Sequence, residues 1–255
     1  MPQFGFRTGS FRGATAEQAA AELARLGYDA VELCLEAPDV RPEHLDEARS
    51  RELRRNLDRL GIDLASVSYH GDNEALADRR ANQERAVRVT RWLGASLLVL
   101  NAERTTDRDR QWSDLVGHLQ RLCRLAEEEN VTIAFEPEPL LVVSSSQDML
   151  DLMQAVGSPR LKVNLDVGHA QITDDNPAAT IRRLGQNLVH LHLEDIRERV
   201  HRHLLFGEGN IDFAAIRQAL ADVGYQGPYV ADLFGLSDPA DTAARALTGM
   251  RQLFA

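Results

Sequence analysis

Three stretches decide the fold: residues 132–138 read TIAFEPE, residues 161–169 read LKVNLDVGH and residues 189–195 read VHLHLED. Each begins as a short apolar run typical of a buried β-strand and ends in carboxylates or imidazoles. When parallel strands close into a barrel, their carboxyl ends meet at one rim. The three stretches therefore predict a barrel that gathers titratable side chains at that rim.

The same alternation of short β-type runs and helical periodicity continues along all 255 residues. It predicts eight strands and eight helices arranged as βα units with a parallel sheet. The predicted strands are Phe4–Thr8, Ala30–Leu35, Leu64–Tyr69, Leu97–Asn101, Thr132–Glu136, Leu161–Asp166, Val189–Leu193 and Tyr229–Leu233. No linker or change in composition divides the chain, so we expect one domain over residues 1–255.

Helix signals agree with this pattern. Thr15 and Gln18 fit a capping box, and Asn176-Pro177 places proline at the first position of a helix. An open doubly wound sheet is the alternative fold. Because no Gly-rich phosphate-binding motif follows the first strand, we favour the α/β fold of a closed (β/α)8 barrel, the TIM barrel.

Composition and charge exclude several classes of protein. With 44% hydrophobic and 27% charged residues, the chain can bury a sizeable core, and its net charge of −10 argues against a basic surface for nucleic acid. Residues 1–7 lack a charged leader with a long apolar core, and no apolar run is long enough for a bilayer. We expect a cytoplasmic protein without membrane association, whose Cys34 and Cys123 are reduced and buried.

The histidines concentrate in the parts of the chain that a barrel brings together. Only His44 and His118 of the eight histidines fall in predicted helices. The other six are in late strand segments or the loops that follow, namely His70, His169, His190, His192, His201 and His203. These positions converge on the barrel face where active sites form.

Four adjacent predicted strands offer one candidate metal site. Glu136, Asp166, His192 and Asp232 each lie at or near the carboxyl end of strands five to eight. Three carboxylates and an imidazole suit a divalent cation. The alternative for these residues is a buried polar network or a set of salt bridges. His190 lies two residues before His192 and points to the same side, where it is either a further site residue or a core histidine with one partner.

These motifs resemble the xylose isomerase-like TIM barrels, a superfamily of sugar phosphate isomerases and epimerases related to endonuclease IV. The resemblance extends from residues 27–33 (GYDAVEL) through the EP, DVGH and HLED motifs to residues 207–213 (GEGNIDF). It implies one divalent ion, manganese first, with magnesium, cobalt or zinc as alternatives. The implied ligands are Glu136, Asp166, His192 and the acid of strand eight.

The resemblance also implies catalytic roles. In the epimerases of this family, the acids of strands five and eight move the proton on opposite faces of the substrate carbon, which assigns Glu136 and Asp232 as catalytic. The usual strand-eight residue is glutamate, so the shorter Asp232 weakens an epimerase interpretation. His169 resembles the family's substrate-contacting histidine.

Five further residues are expected to contact substrate. They are His70, His201, His203, Glu138 and Arg7, and the last suits a carboxylate or phosphate. A solvated loop is the alternative for His201 and His203, and a bond to a loop amide is the alternative for Glu138. Endonuclease IV carries zinc-binding histidines after strands three and four, and here strand four ends in Asn101 instead.

The sequence therefore predicts an enzyme that isomerises or epimerises a small polyhydroxylated carbonyl compound (a sugar, sugar phosphate or cyclitol) through a metal-stabilised ene-diolate. The runner-up is a metal-dependent dehydratase or lyase of the inosose type. A phosphodiesterase and a sugar-binding barrel without catalysis are less favoured. The substrate and the oligomeric state, a homo-oligomer included, stay open.

Overall fold

Eight short apolar segments pair in parallel and in sequence order, and the first strand pairs with the last to close a barrel. The computed structural model describes residues 2–255. The strands are β1 Phe4–Arg7, β2 Ala30–Cys34, β3 Asp63–Ser68, β4 Leu97–Asn101, β5 Thr132–Glu136, β6 Leu161–Asp166, β7 Leu188–Leu193 and β8 Tyr229–Ala231. The predicted (β/α)8 fold is confirmed, with three strands matching the predicted bounds and the other five differing by one or two residues.

Helices connect successive strands and cover the barrel. They are α1 Ala16–Leu26, α2 Glu47–Leu60, α3 Leu76–Trp92, α4 Arg108–Glu128, α5 Ser146–Val156, α6 Val167–Thr173, α7 Pro177–Leu184, α8 Phe213–Asp222 and α9 Pro239–Phe254. Thr15 and Gln18 form the predicted capping box, and Asn176 caps α7 with Pro177 in its first turn.

The prediction of eight helices was wrong, because residues 2–255 contain nine α-helices. The additional helix is α6, which begins directly after β6. Asp166 caps it, since its Oδ1 accepts a hydrogen bond from the backbone N–H of His169 at 2.8 Å. His169 therefore lies in the first turn of a helix and not in a loop.

The core consists of buried apolar side chains together with fully buried polar ones in the strands, such as Glu32, Ser66 and Asn164. Phe6, Tyr69 and Phe135 are among the largest fully buried side chains. Cys34 and Cys123 are buried and unpaired, as expected. Within residues 2–255, every helix is too short or too polar to cross a membrane.

Candidate metal centre and active site

The four predicted metal ligands lie at one rim of the barrel. Glu136 and Asp166 are the last residues of β5 and β6, His192 is the penultimate residue of β7, and Asp232 directly follows β8. None is more than 4% exposed. Strand register places Asp166 beside His192. Residues far apart in sequence thus share one buried neighbourhood because parallel strands end together.

Three of these four residues converge closely. Ligand atoms of Glu136, Asp166 and His192 all lie within 4.8 Å of one another. His192 Nδ1 is 3.3 Å from Glu136 Oε1 and 3.9 Å from Asp232 Oδ2. Asp232 therefore borders the cluster, although its own position is set by another partner.

That partner is Arg7, at the end of β1. Arg7 Nη1 donates to Asp232 Oδ2 at 2.7 Å, and both side chains are buried. Burial is the largest influence and acts to raise the pKa of Asp232, but Arg7 together with the imidazoles of His203 and His192 lowers that pKa below its usual value. Asp232 is thus an ionised carboxylate with one oxygen engaged by Arg7.

Glu32, in the middle of β2, connects this ion pair to His192. Its Oε1 lies 2.9 Å from Arg7 Nε, and its Oε2 accepts hydrogen bonds from Ser66 Oγ at 2.8 Å and from His192 Nε2 at 2.9 Å. In the neutral form of His192, which is the form that can bind a cation, a proton on Nε2 would leave the Nδ1 lone pair toward Glu136. Asn164 Nδ2, 3.1 Å from the same Nδ1, is placed to donate to it.

Unpaired carboxylate oxygens test whether a cation fits here. Glu136 Oε2, Asp166 Oδ2 and Asp232 Oδ1 are buried and have no hydrogen-bond partner among residues 2–255. Buried, unpaired carboxylate oxygens are costly unless a cation balances them. Three carboxylates and one imidazole form a donor set for Mn²⁺, Mg²⁺, Co²⁺ or Zn²⁺. The residues fit a divalent cation.

The local electrostatics agree with that donor set. Burial by itself would raise the pKa of Glu136 and lower the pKa of His192. The pKa of Glu136 is nevertheless lowered, and that of His192 is raised. The carboxylates of Glu32 and Glu136 hold the pKa of His192 well above its usual value, and His192 in turn lowers that of Glu136. Without a cation, positive charge on His192 thus compensates these carboxylates, and a bound divalent cation would take over that role.

Sequence reasoning missed Glu194, a fully buried carboxyl next to the cluster. Burial first, and then the charge of Asp166, raises its pKa well above the usual value, which favours the protonated form. It also explains the glycine of the DVGH motif, because a Cβ on Gly168 would lie 1.8 Å from Glu194 Oε1. The sequence did contain a signal for Glu194, because alternate residues of a strand face the same side and His190, His192 and Glu194 are two residues apart.

His190 is buried with a side-chain partner, as the core-histidine interpretation predicted, and its Nε2 also lies 3.4 Å from Glu32 Oε2. It is fully buried in β7, and its Nδ1 lies 2.9 Å from Asn164 Oδ1. Burial is the main cause that lowers its pKa, to about 4, so the imidazole is neutral.

A separate group of three imidazoles lies next to the carboxylate cluster. Ligand atoms of His169, His201 and His203 lie within 4.8 Å of one another, with the Nε2 atoms of His169 and His201 3.1 Å apart. His169 Nδ1 is 3.2 Å from the carbonyl of Pro137, and His203 Nδ1 is 2.7 Å from that of Asp232. The structure therefore brings together three predicted substrate-contacting residues, of which His201 is exposed.

The loop that carries His201 and His203 is organised by Asp195, which sequence reasoning also missed. Its Oδ2 accepts from the backbone N–H groups of Gly207 and Gly209, each at 2.9 Å. Its Oδ1 accepts from those of Ile196 and Ile211. One buried carboxylate thus fixes the path of the β7–α8 connection.

The other predicted contacts surround Glu136. His70 Nε2 lies 3.5 Å from Glu136 Oε2 and its Nδ1 lies 3.3 Å from Arg7 Nη2. Glu138 Oε2 accepts from Asn101 Nδ2 at 2.9 Å, so Glu138 binds a side-chain amide and not the alternative loop amide. Asn101 ends β4 where the endonuclease-like alternative needs an imidazole.

A cavity of about 750 Å³ opens above this centre, within the range of small-molecule sites. Eight of the ten predicted site residues line it, namely Arg7, His70, Glu136, Glu138, His169, His201, His203 and Asp232. Asp166 and His192 are fully buried and do not line it.

Several known proteins are similar to this chain in sequence or in fold. Fructoselysine 3-epimerase of Shigella flexneri is 24% identical over 256 residues, covering 93% of this chain and 92% of that protein. D-Psicose 3-epimerase of Enterocloster bolteae is 32% identical over 138 residues, covering 53% of this chain and 43% of that relative. The matched segment thus spans less than half of that relative's length.

An inosose dehydratase of Clostridium tetani is 26% identical over 136 residues, covering 47% of this chain and 46% of that protein. Among solved structures, D-allulose 3-epimerase of Methylomonas sp. has a TM-score of 0.82 at 22% identity, covering 99% of this chain and 98% of its own. That epimerase is also known in complex with D-allulose.

A sequence model of the xylose isomerase-like TIM barrel matches residues 20–253, which is most of the chain. The resemblance inferred from the EP, DVGH and HLED motifs is thereby confirmed. This protein belongs to the xylose isomerase-like TIM barrel family.

Proposed function

We propose that this protein is a divalent-metal-dependent isomerase or epimerase of a small polyhydroxylated carbonyl compound. The observation that carries the proposal is the convergence of Glu136, Asp166 and His192, with unpaired carboxylate oxygens, beneath a cavity of sugar-binding size. Relatives that are sugar epimerases support the same reaction class. The proposed cofactor is one divalent cation, with Mn²⁺ as the first choice, held by these three residues and Asp232.

The reaction requires a base beside an acidic carbon. Glu136 faces the cavity as an ionised carboxylate whose Oε2 lies 3.5 Å from His70 Nε2 without a hydrogen bond, which suits removal of the proton next to the substrate carbonyl. Asp232 reaches the same cavity from β8, and we assign it to return a proton on the other face after its carboxylate has taken that proton from solvent. When bound, a divalent cation polarises the carbonyl and stabilises the ene-diolate charge.

The remaining residues orient the substrate in this proposal. Imidazole, carboxylate and guanidinium groups around the cavity can bond several hydroxyls at once, which fixes the acidic carbon near Glu136. The assigned contacts are His70, Glu138, His169, His201, His203 and Arg7. Arg7 has the fewest N–H donors left for substrate, since Glu32 and Asp232 already occupy its Nε and Nη1.

Metal content and proton exchange test the proposal together. Purified protein should contain close to one divalent ion per chain, and Glu136→Gln and His192→Ala should lose it, whereas the exposed control His44→Ala retains it. In deuterium oxide, a panel of ketoses, aldoses and cyclitols should include one compound that exchanges its acidic proton and gives an isomer. Full activity in metal-free protein would contradict the proposal.

A dehydratase is the second candidate, and the Arg7–Asp232 ion pair favours it. Asp232 Oδ2 is held by a guanidinium at 2.7 Å, whereas the charged or neutral neighbours of Glu136 are imidazoles at 3.3 Å or more, so Glu136 is the carboxylate better placed to act as the base. Elimination needs one base and a departing hydroxyl, not two bases on opposite faces. A product lighter than its substrate by one water supports the dehydratase, and an isomer of unchanged mass excludes it.

A further inference from the structure

The outer half of the cavity differs in chemistry from the floor. Phe11, Arg12, Arg202, Phe234 and Leu236 line it, from the connections that follow β1, β7 and β8; we refer to these five residues as the outer subsite. Phe234 is 51% exposed, which is unusual for a phenylalanine, and Arg12 lies over its ring with Cζ 4.4 Å from the centroid.

The stacking leaves the donors of Arg12 available. A guanidinium on an aromatic ring uses its flat face, while its N–H groups point outward in the plane of the group. Arg7 deeper in the cavity is held by Glu32 and Asp232, whereas neither Arg12 nor Arg202 forms an ion pair within residues 2–255. Two cationic side chains thus face the cavity without a carboxylate.

The acids on the other side of the cavity are already engaged. Glu36 accepts from the backbone N–H groups of His70 and Gly71, and Glu138 accepts from Asn101. Asp72 lies 3.8 Å from Arg79 Nη2. The cavity is therefore polarised, with engaged acids along the β2–β5 side and free guanidinium groups in the outer subsite.

The volume of the cavity also leaves room beyond a free sugar. A cavity of about 750 Å³ has the volume of about 25 water molecules at roughly 30 Å³ each, about twice the number of heavy atoms in a hexose. A free hexose bound at the floor leaves the outer subsite unfilled.

We propose that the outer subsite binds an anionic group, a phosphate or a carboxylate, carried by the substrate at the end remote from its carbonyl. This inference rests on the proposed function and names the substrate class as anionic derivatives of sugars or cyclitols. Arg12 is the principal contact, because Phe234 pre-orients its planar donors for bidentate binding. Arg202 supplies the second positive charge.

Binding of compounds that cannot react separates this subsite from catalysis. Calorimetry of EDTA-treated protein with sorbitol, sorbitol 6-phosphate and gluconate avoids direct contact between the anion and a metal. At least one anionic compound should bind at least tenfold more tightly than sorbitol, and whether it is the phosphate or the carboxylate identifies the group. Equal affinity for all three compounds would overturn the inference.

Variants locate the effect. Arg12→Gln should reduce the ratio of anionic to neutral affinity about tenfold, and Phe234→Ala about threefold through loss of pre-orientation. Arg55→Gln removes the same charge from the exposed face of α2, outside the cavity lining, and should leave the ratio unchanged. An unchanged ratio in Arg12→Gln contradicts the subsite even if ketoses are turned over. Selective anion binding without turnover of any ketose or cyclitol instead contradicts the proposed function and leaves the subsite standing.

Discussion

His192 Nε2 donates a hydrogen bond to Glu32 Oε2 at 2.9 Å, across the barrel interior from β7 to β2. In the neutral imidazole that binding of a cation requires, this bond places the proton on Nε2 and leaves Nδ1 directed at Glu136. A carboxylate behind a histidine also makes that imidazole a better metal ligand. Glu32 therefore prepares His192 for a cation that Glu32 itself is not assigned to bind.

The first prediction concerns Glu32. Glu32→Gln should weaken Mn²⁺ binding by about 10- to 100-fold, because the neutral amide polarises His192 less and can no longer pair with Arg7. Titration of EDTA-treated protein with Mn²⁺ measures the change. Ser66→Ala removes only a hydroxyl bond to the same carboxylate and should cost far less affinity. Equal dissociation constants for wild type and Glu32→Gln would refute this role.

The second prediction concerns Arg7, which compensates two buried carboxylates. Arg7→Gln should lower the free energy of unfolding of metal-free protein by about 3–5 kcal/mol, since Glu32 and Asp232 lose their cation. Saturating Mn²⁺ should recover part of that loss. Urea unfolding with EDTA and with Mn²⁺ gives both values.

A matched surface pair provides the control for Arg7. Arg182 lies 2.8 Å from Asp222 with both side chains partly exposed, so Arg182→Gln should cost no more than about 1 kcal/mol. If Arg7→Gln and Arg182→Gln lost the same free energy of unfolding, burial would not make the Arg7 ion pairs more stabilising than a surface pair.

The third prediction compares two glycines. A Cβ on Gly168 would meet Glu194 Oε1 at 1.8 Å and Ile196 Cγ1 at 2.6 Å, so Gly168→Ala must displace buried neighbours at a cost of about 1–3 kcal/mol. Because the displaced Glu194 lies next to Asp166, Mn²⁺ affinity should fall as well. Gly117 in α4 has only Arg121 Nη1 nearby at 3.8 Å, and Gly117→Ala should stabilise by up to about 1 kcal/mol. Thermal melting and metal titration of both variants check this contrast.

The fourth prediction is a pH dependence away from the metal centre. His118 in α4 is buried, with Nε2 2.8 Å from Gln83 Oε1. Burial is the main cause that lowers its pKa to about 4. The unfolded chain therefore binds a proton at higher pH than the folded chain, and the contribution of neutral His118 is fully present above pH 6.5 and is lost between pH 6.5 and about 4.

That loss amounts to about 3 kcal/mol at 1.36 kcal/mol per pKa unit. His118→Gln should unfold with a correspondingly shallower dependence on pH across this window. The exposed His44→Gln should follow the wild-type curve. Urea unfolding at several pH values compares the three proteins, and parallel curves for His118→Gln and wild type would show that His118 does not titrate in this way.

The strands and the rim could be predicted because their signals are local. The apolar runs at residues 132–136 and 161–166 are bounded by the same residues in the structure. Parallel strands share a direction, so the ends of such runs must meet once the barrel closes. The convergence of Glu136, Asp166 and His192 follows from that rule alone.

Which side chains pair with each other could not be predicted in the same way. Nothing in the spacing of Arg7, Glu32 and Asp232 indicates that one guanidinium joins both acids, since the three residues are separated by up to 225 positions. The short helix α6 was missed for a related reason. Its start depends on the cap that Asp166 provides, and the motif was interpreted as a strand end followed by a loop.

The sequence by itself determined the barrel, the rim on which the titratable groups gather and the identity of the donor atoms, because hydrophobic periodicity and strand direction act over a few residues. Only the tertiary structure decided which nitrogen of His192 bonds to Glu32, that Asp232 is held by Arg7, and that Glu194 is buried beside Asp166. Those outcomes depend on distances of about 3 Å between side chains of different strands, which are fixed only when twist and register close the barrel.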